Sequence, residues 1–68
     1  MAGEALNLPY ILRIEFANGL KDQSVRFKKQ PKSLRLVNRD GWCCLYVNRR
    51  PYVKFHAEAA APFEEEHL

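Results

Sequence analysis

Apolar and polar side chains alternate over residues 10–16, a period of two that is typical of a half-buried β-strand. The dipeptide Asn18-Gly19 follows, and it tolerates the positive φ that both central residues of a type I′ hairpin turn require. A two-residue turn at this point places Leu12 opposite Val25, so that the apolar positions of the two arms meet. The pattern therefore predicts a β-hairpin over this part of the chain.

A second hairpin is predicted after a proline-containing break. Its arms are residues 34–38 and 42–47, and Asp40-Gly41 supplies the tight turn between them. In this register Leu36 faces Leu45, so apolar side chains meet again. The second arm is apolar on both faces, and we therefore expect it to be a central strand or else to be buried by a partner.

A fifth strand is predicted over residues 52–56. A three-residue loop over 49–51 sets Val53 opposite Val47 and keeps the apolar side chains on one face. We prefer this loop because a slip of one residue would move every side chain of the strand to the other face of the sheet.

After the fifth strand the composition changes to alanine and glutamate, and residues 58–61 favour a short helical turn before a proline. Phe63 and the three glutamates that follow it can open a second short turn, with acids suitably placed at its N-terminus. We therefore expect a mainly β fold, a five-stranded antiparallel meander that forms a small barrel or a strongly bent sheet, with a short C-terminal helical turn. In architecture it resembles the small SH3 and Sm barrels, which implies no particular site. The chain divides into a flexible N-terminus over 1–8, a single β domain over 9–56 and an acidic C-terminal tail over 57–68.

The predicted core is small. It consists of the apolar positions that share one face: Leu12, Ile14, Val25, Phe27, Leu34, Leu36, Leu45, Val47, Val53 and Phe55. A chain of 68 residues buries only about 60% of the surface that its unfolded form exposes, so a homodimer is a reasonable way to enlarge this core. The longest apolar run is far shorter than the roughly 20 residues that a bilayer requires, and no signal peptide is recognisable. We therefore expect a cytoplasmic protein with reduced cysteines and no membrane contact.

Charge is distributed unevenly along the chain. All 11 Lys and Arg residues lie between Arg13 and Lys54, together with only three acids, which leaves this segment a formal charge of +8. The remaining five acids lie outside it and lower the total to +3. So basic a segment should attract polyanions, of which nucleic acids are the commonest.

Cations and aromatic rings share the face opposite the predicted core and the loops beside it. Such surfaces bind single-stranded nucleic acid, because cations follow the phosphates while rings stack on bases. The candidate nucleic-acid-binding residues are Arg26, Lys28, Arg35, Trp42, Tyr46, Arg49, Arg50, Tyr52 and Lys54. The plainer interpretation is a solvated face whose rings pack beneath Arg and Lys stems, or a dimer interface that contains Trp42 and Tyr46.

Two functions therefore compete. The first is a small module that binds RNA or single-stranded DNA, although the aromatic signatures of RNA-recognition and cold-shock sheets are absent. The second is a protein-interaction or regulatory module that acts through an exposed strand edge, the Trp42/Tyr46 face or the acidic tail. The tail itself has three interpretations: a solvated end, a competitor for phosphate that folds over the basic face, or a docking segment for a basic partner protein.

Adjacent residues on a strand point to opposite faces, so Cys43 and Cys44 cannot readily share a metal ion or form a relaxed disulfide. We expect Cys43 in the core and Cys44 opposite His56. A catalytic thiol also needs an orienting group and an oxyanion site, and the sequence nominates neither. Cys44, His56 and His67 lack a recognisable metal-site spacing. We therefore expect no catalysis, no metal and no cofactor.

Overall fold

Six β-strands form the computed structural model, which describes residues 9–67. They are β1 (Tyr10–Ile14), β2 (Gln23–Phe27), β3 (Ser33–Arg39), β4 (Trp42–Val47), β5 (Arg50–Phe55) and β6 (Phe63–Glu66). β1 and β2 form one sheet, and the other has the order β5-β4-β3-β6, with every pair antiparallel. The mainly β, antiparallel prediction is confirmed, and the count of five strands is wrong. The predicted flexible N-terminus, residues 1–8, lies outside the described residues.

The two sheets share one core and, within residues 9–67, do not close into a barrel, so that prediction is wrong. β2 and β3 do not pair, because the chain crosses from one sheet to the other at the proline-containing break between them. The buried core consists of Leu12, Ile14, Phe16, Phe27, Leu34, Leu36, Cys43, Leu45 and Ala59. The rings of Phe16 and Phe55, 5.5 Å apart between centroids, pack edge to face. Four predicted core residues are only partly buried and pack around this centre: Val25, Val47, Val53 and Phe55.

The first hairpin has the predicted register but not the predicted turn. Leu12 lies opposite Val25, as expected, yet the pairing ends with β1. Gly19 has a positive φ of 69° and Asn18 does not, so the dipeptide does not form the type I′ turn, which needs both. A wide loop therefore joins β1 to β2.

The second hairpin agrees with its prediction in register and in turn. Leu36 lies opposite Leu45. Asp40 and Gly41 both have positive φ, 52° and 82°, as a type I′ turn requires. This turn follows the right-handed twist of the strands, so β3 and β4 can pair along their whole length.

The connection between β4 and β5 is shorter than predicted. Asn48 and Arg49 have positive φ, 53° and 69°, and form a two-residue turn instead of the three-residue loop. A bulge then shifts the register, so that Val53 lies opposite Leu45 and not Val47. The extra residue in the bulge keeps the apolar side chains of β5 on the core face. The predicted three-residue loop would have had the same effect.

The predicted C-terminal helical turn is wrong: residues 58–61 contain no helix and only an isolated bridge at Ala59, and residues 63–66 are an edge strand. β6 pairs with β3, with Phe63 opposite Leu36 and Glu65 opposite Leu34. Without β6, two of the most deeply buried side chains would lie on an open sheet edge, and this pairing outweighs the weak helix preference of the glutamates.

No helix of the length and apolar character needed to cross a bilayer occurs within residues 9–67.

The connection from β5 to β6 is fastened by the side chain of Asn38. Its Nδ2 donates to the carbonyl oxygen of Ala59 at 2.9 Å, and its Oδ1 accepts from the backbone N–H of Ala59 at 2.8 Å. On its other side, Ala59 bridges to Phe16 through two backbone hydrogen bonds of 2.8 Å, from Ala17 to Glu58 and from Ala60 to Glu15. Ala59 is thereby held in the core between the two sheets.

Candidate functional site

The outer face of the four-stranded sheet carries the largest group of candidate residues. Leu34 and Leu36 on β3, and Cys43 and Leu45 on β4, point into the core, so the residues that alternate with them point outward. Register places residues of β5 and β6 beside them. We define the outer face as Arg35, Val37, Arg39, Trp42, Cys44, Tyr46, Lys54, Glu64 and Glu66.

A shallow hollow of about 380 Å³ lies in the middle of this face. Its floor is the paired residues Val37 and Cys44. Trp42 and Tyr46 lie at its two ends, about 13 Å apart along β4 at the usual rise per strand residue. The hollow exists because the side chains between the two rings are small. Arg39, Asp40 and Lys54 complete its lining.

Each ring at the ends of the hollow has a cation beside it. Trp42 stacks on His56 with centroids 4.3 Å apart and an interplanar angle of 22°, and the Lys54 Nζ lies 5.7 Å from the indole centroid. The Arg35 guanidinium carbon lies 5.8 Å from the Tyr46 centroid. Trp42 nevertheless remains 41% exposed, so part of its ring is open to a ligand.

Four of the nine candidate residues share the outer face: Arg35, Trp42, Tyr46 and Lys54. A fifth, Arg49, lies beside it in the β4–β5 turn, where it lines a second hollow of about 350 Å³ together with Arg35 and Tyr46.

The other four candidates do not join this group. Arg26 alternates with core residues on β2, so it points outward from the other sheet, and Lys28 follows at the end of the same strand. The Tyr52 ring packs on Phe27 at 5.4 Å between centroids and so lies on the core side of β5. Arg50 is exposed at the start of β5.

Two further residues belong to the hollow or border it. Arg39 lines it and pairs with Trp42, and His56 covers part of the indole. The predicted β3–β4 register already implied the Arg39–Trp42 pair. The stacking of His56 on Trp42 depends on the β-bulge, which no local sequence signal indicated.

Acidic residues limit the basic surface on one side. Register places Glu64 opposite Arg35 and Glu66 opposite Ser33. The Arg35 Nε lies 3.8 Å from the Glu64 Oε2. The outer face is therefore basic and aromatic over β3, β4 and β5, and acidic at the β6 edge.

The two cysteines point to opposite faces. Cys43 is fully buried and Cys44 is half-buried on the floor of the hollow. Cys44 lies opposite Lys54, so the predicted pairing of Cys44 with His56 is wrong; the bulge moves the register. No group of three potential metal ligands occurs among residues 9–67.

We expect the two thiols to react at different rates with an aromatic disulfide reagent. Burial raises the pKa of the Cys43 thiol, and a backbone hydrogen bond with Ala59 opposes this only in part. Because thiolate content and access both control the rate, Cys44 should react at least about ten-fold faster in the native protein. Reagent absorbance follows the two phases. Cys44→Ser should remove the fast phase, and a fast phase that survives in this variant would contradict the assignment.

Comparisons with protein-family models, curated proteins and solved structures find no match to this chain.

Proposed function

We propose that this domain binds single-stranded nucleic acid, RNA or DNA, in the hollow of the outer face. The observation that carries the proposal is the exposed Trp42 ring, with Lys54 against it and Arg39 paired opposite. An indole open to solvent offers a stacking surface, and two cations at the same place offer contacts to phosphate.

The hollow suits an unpaired base. A base can stack on a side chain only when it is free of its own duplex. The floor consists of the small side chains of Val37 and Cys44, so it leaves room between the rings for a planar, weakly polar group. Arg39 and Lys54 at the margin lie where the attached backbone would pass.

The strand edges of the large sheet are poorly suited to the competing function, protein binding by strand addition. β5 begins with Arg50-Pro51 and contains the bulge, while β6 carries three successive glutamates. Charge, proline and bulges are the features by which edge strands avoid pairing with another chain. The face of the sheet is therefore a better binding surface than its edges.

Trp42→Ala should weaken binding to a labelled single-stranded oligonucleotide by about ten-fold or more, since one base–aromatic stack contributes about 1–3 kcal/mol. Fluorescence anisotropy at about 50 and 200 mM salt would measure the dissociation constants and their salt dependence, which reports on phosphate contacts. Tyr52→Ala is the matched control, because this ring is exposed but lies on the core side of β5. It should leave binding nearly unchanged.

A lysine pair tests the phosphate contacts in the same assay. Lys54→Ala should reduce the slope of log affinity against log salt by about 0.7, the value for one phosphate contact on a single strand. Lys28→Ala removes the same charge from the other sheet and should change the slope much less. No binding at 50 mM salt, or equal effects of the two substitutions, would contradict the proposal. Light scattering should accompany the titration, because a dimer through Trp42 and Tyr46 would cover this face.

A further inference from the structure

Arg35 on the outer face already has a carboxylate beside it, that of Glu64. β3 and β6 pair with these two residues opposite each other, and the Nε–Oε2 distance is 3.8 Å. Glu66 lies two residues further along β6 and lines the same hollow as Arg35, Tyr46 and Arg49. The β3–β6 side of the outer face therefore contains both a cation, Arg35, and its counterion, Glu64.

We propose that Glu64 is a specificity-determining residue for the nucleic-acid site, in that it competes with phosphate for Arg35 and so favours binding of the strand at the end of the outer face that contains Arg39, Trp42 and Lys54. This inference rests on the proposed function. It assigns a role to the acidic segment, and it removes Arg35 from the residues that contact nucleic acid in the native protein.

The Glu64 carboxylate competes with phosphate for Arg35 because it carries the same sign of charge and is held next to the guanidinium by the sheet. The Glu64 carboxylate and a phosphate are both acceptors for the same guanidinium. The carboxylate is carried by a strand hydrogen-bonded to β3, so its effective concentration at Arg35 is high without any ligand. Glu66 adds repulsion of phosphates within the Debye length, about 8 Å at physiological salt.

Glu64 should only bias where the nucleic-acid strand binds, because the Arg35 and Glu64 side chains are both largely in water and water weakens their interaction. The Arg35 and Glu64 side chains are 57% and 71% exposed. Exposed pairs of this kind are weak, so we expect Glu64 to change affinity only about two- to five-fold. Competition of this size shifts a flexible nucleic-acid strand from Arg35 towards a neighbouring cation that has no carboxylate beside it.

The test is a double-substitution cycle of Arg35→Ala and Glu64→Gln, with the anisotropy assay on a single-stranded oligonucleotide. In the native background, Arg35→Ala should weaken binding by less than about two-fold, since the arginine is already paired. Glu64→Gln should tighten binding by about three-fold and increase the salt slope by about 0.7, the value for one new phosphate contact. Adding Arg35→Ala to Glu64→Gln should abolish both gains.

Glu65→Gln is the matched control, because it removes the same charge from the same strand and the same hollow, but from a carboxylate that lies 3.3 Å from His67 Nε2 and not beside Arg35. Equal tightening by Glu64→Gln and Glu65→Gln would overturn this inference alone, since it would show a general charge effect. This inference would also be overturned if Arg35→Ala changed the affinity by the same factor in the native protein and in Glu64→Gln. Absence of oligonucleotide binding by every variant, with native circular dichroism, would overturn the proposed function and this inference with it.

Discussion

Leu45→Ala is expected to lower the free energy of unfolding by about 3–4 kcal/mol, the range for truncating a fully buried leucine. Leu45 is 0% exposed and lies on a central strand, with Leu36 opposite it on β3 and Val53 opposite it on β5. Neighbours on both sides are held in place by sheet hydrogen bonds, so the cavity cannot easily collapse. Because small domains have only a few kcal/mol of net stability, much of the variant should be unfolded at room temperature.

Urea denaturation followed by circular dichroism would measure this loss. Ile11→Ala is the control, because it also truncates an apolar strand residue, but one that is 59% exposed on the outer side of β1. It should change stability by less than about 0.5 kcal/mol, as most surface substitutions do. A similar loss in both variants would mean that Leu45 is not at the centre of the core.

Asn38→Ala should cost about 2–3 kcal/mol, because it leaves two backbone groups of Ala59 without partners in a partly buried place. The Asn38 amide donates to the Ala59 carbonyl and accepts from its N–H, as a neighbouring strand would. Its loss should loosen the connection between β5 and β6 before the rest of the sheet. Hydrogen exchange of the Ala17 and Ala60 amides, which bond across this connection, should accelerate most.

Asn18→Ala is the control for that experiment. Asn18 is exposed in the wide loop after β1 and should contribute little to stability. Protection of Ala17 and Ala60 that persists in Asn38→Ala would show that the side-chain hydrogen bonds are dispensable for holding the connection.

Local patterns predicted the parts of this fold that depend on local geometry. The β3–β4 hairpin was predicted in turn and register, with β3 one residue longer at each end than expected, because Asp40-Gly41 favours one turn type and the flanking apolar residues fit only one alignment. The β4–β5 register was wrong because a longer loop and a tight turn with a bulge place apolar side chains on the same face, and periodicity cannot distinguish them. β6 was missed because its glutamates have little strand preference, and its pairing depends on a strand far away in the sequence.

The candidate site was predicted in part for the same reason. Alternation correctly placed Trp42 and Tyr46 on one face with Lys54, and the bulge left the side on which Lys54 lies unchanged. Alternation also groups Arg26 and Lys28 with them, which holds only if all the strands belong to one continuous sheet. The structure has two sheets that face each other across the core, so the outward side chains of β2 point away from those of β4.

The pairing of β3 with β6 also has a consequence for the order of folding. Residues of β3, β4 and β5 meet across short turns, whereas Leu36 and Phe63 are 27 positions apart. Closing the longer loop carries a larger entropic cost, so β6 should dock after the hairpins have formed. A chain in which β6 has not yet docked would expose an apolar edge at Leu34, and its Arg35 would have no carboxylate beside it. Such a chain should therefore aggregate more readily and bind polyanions more strongly than the folded domain.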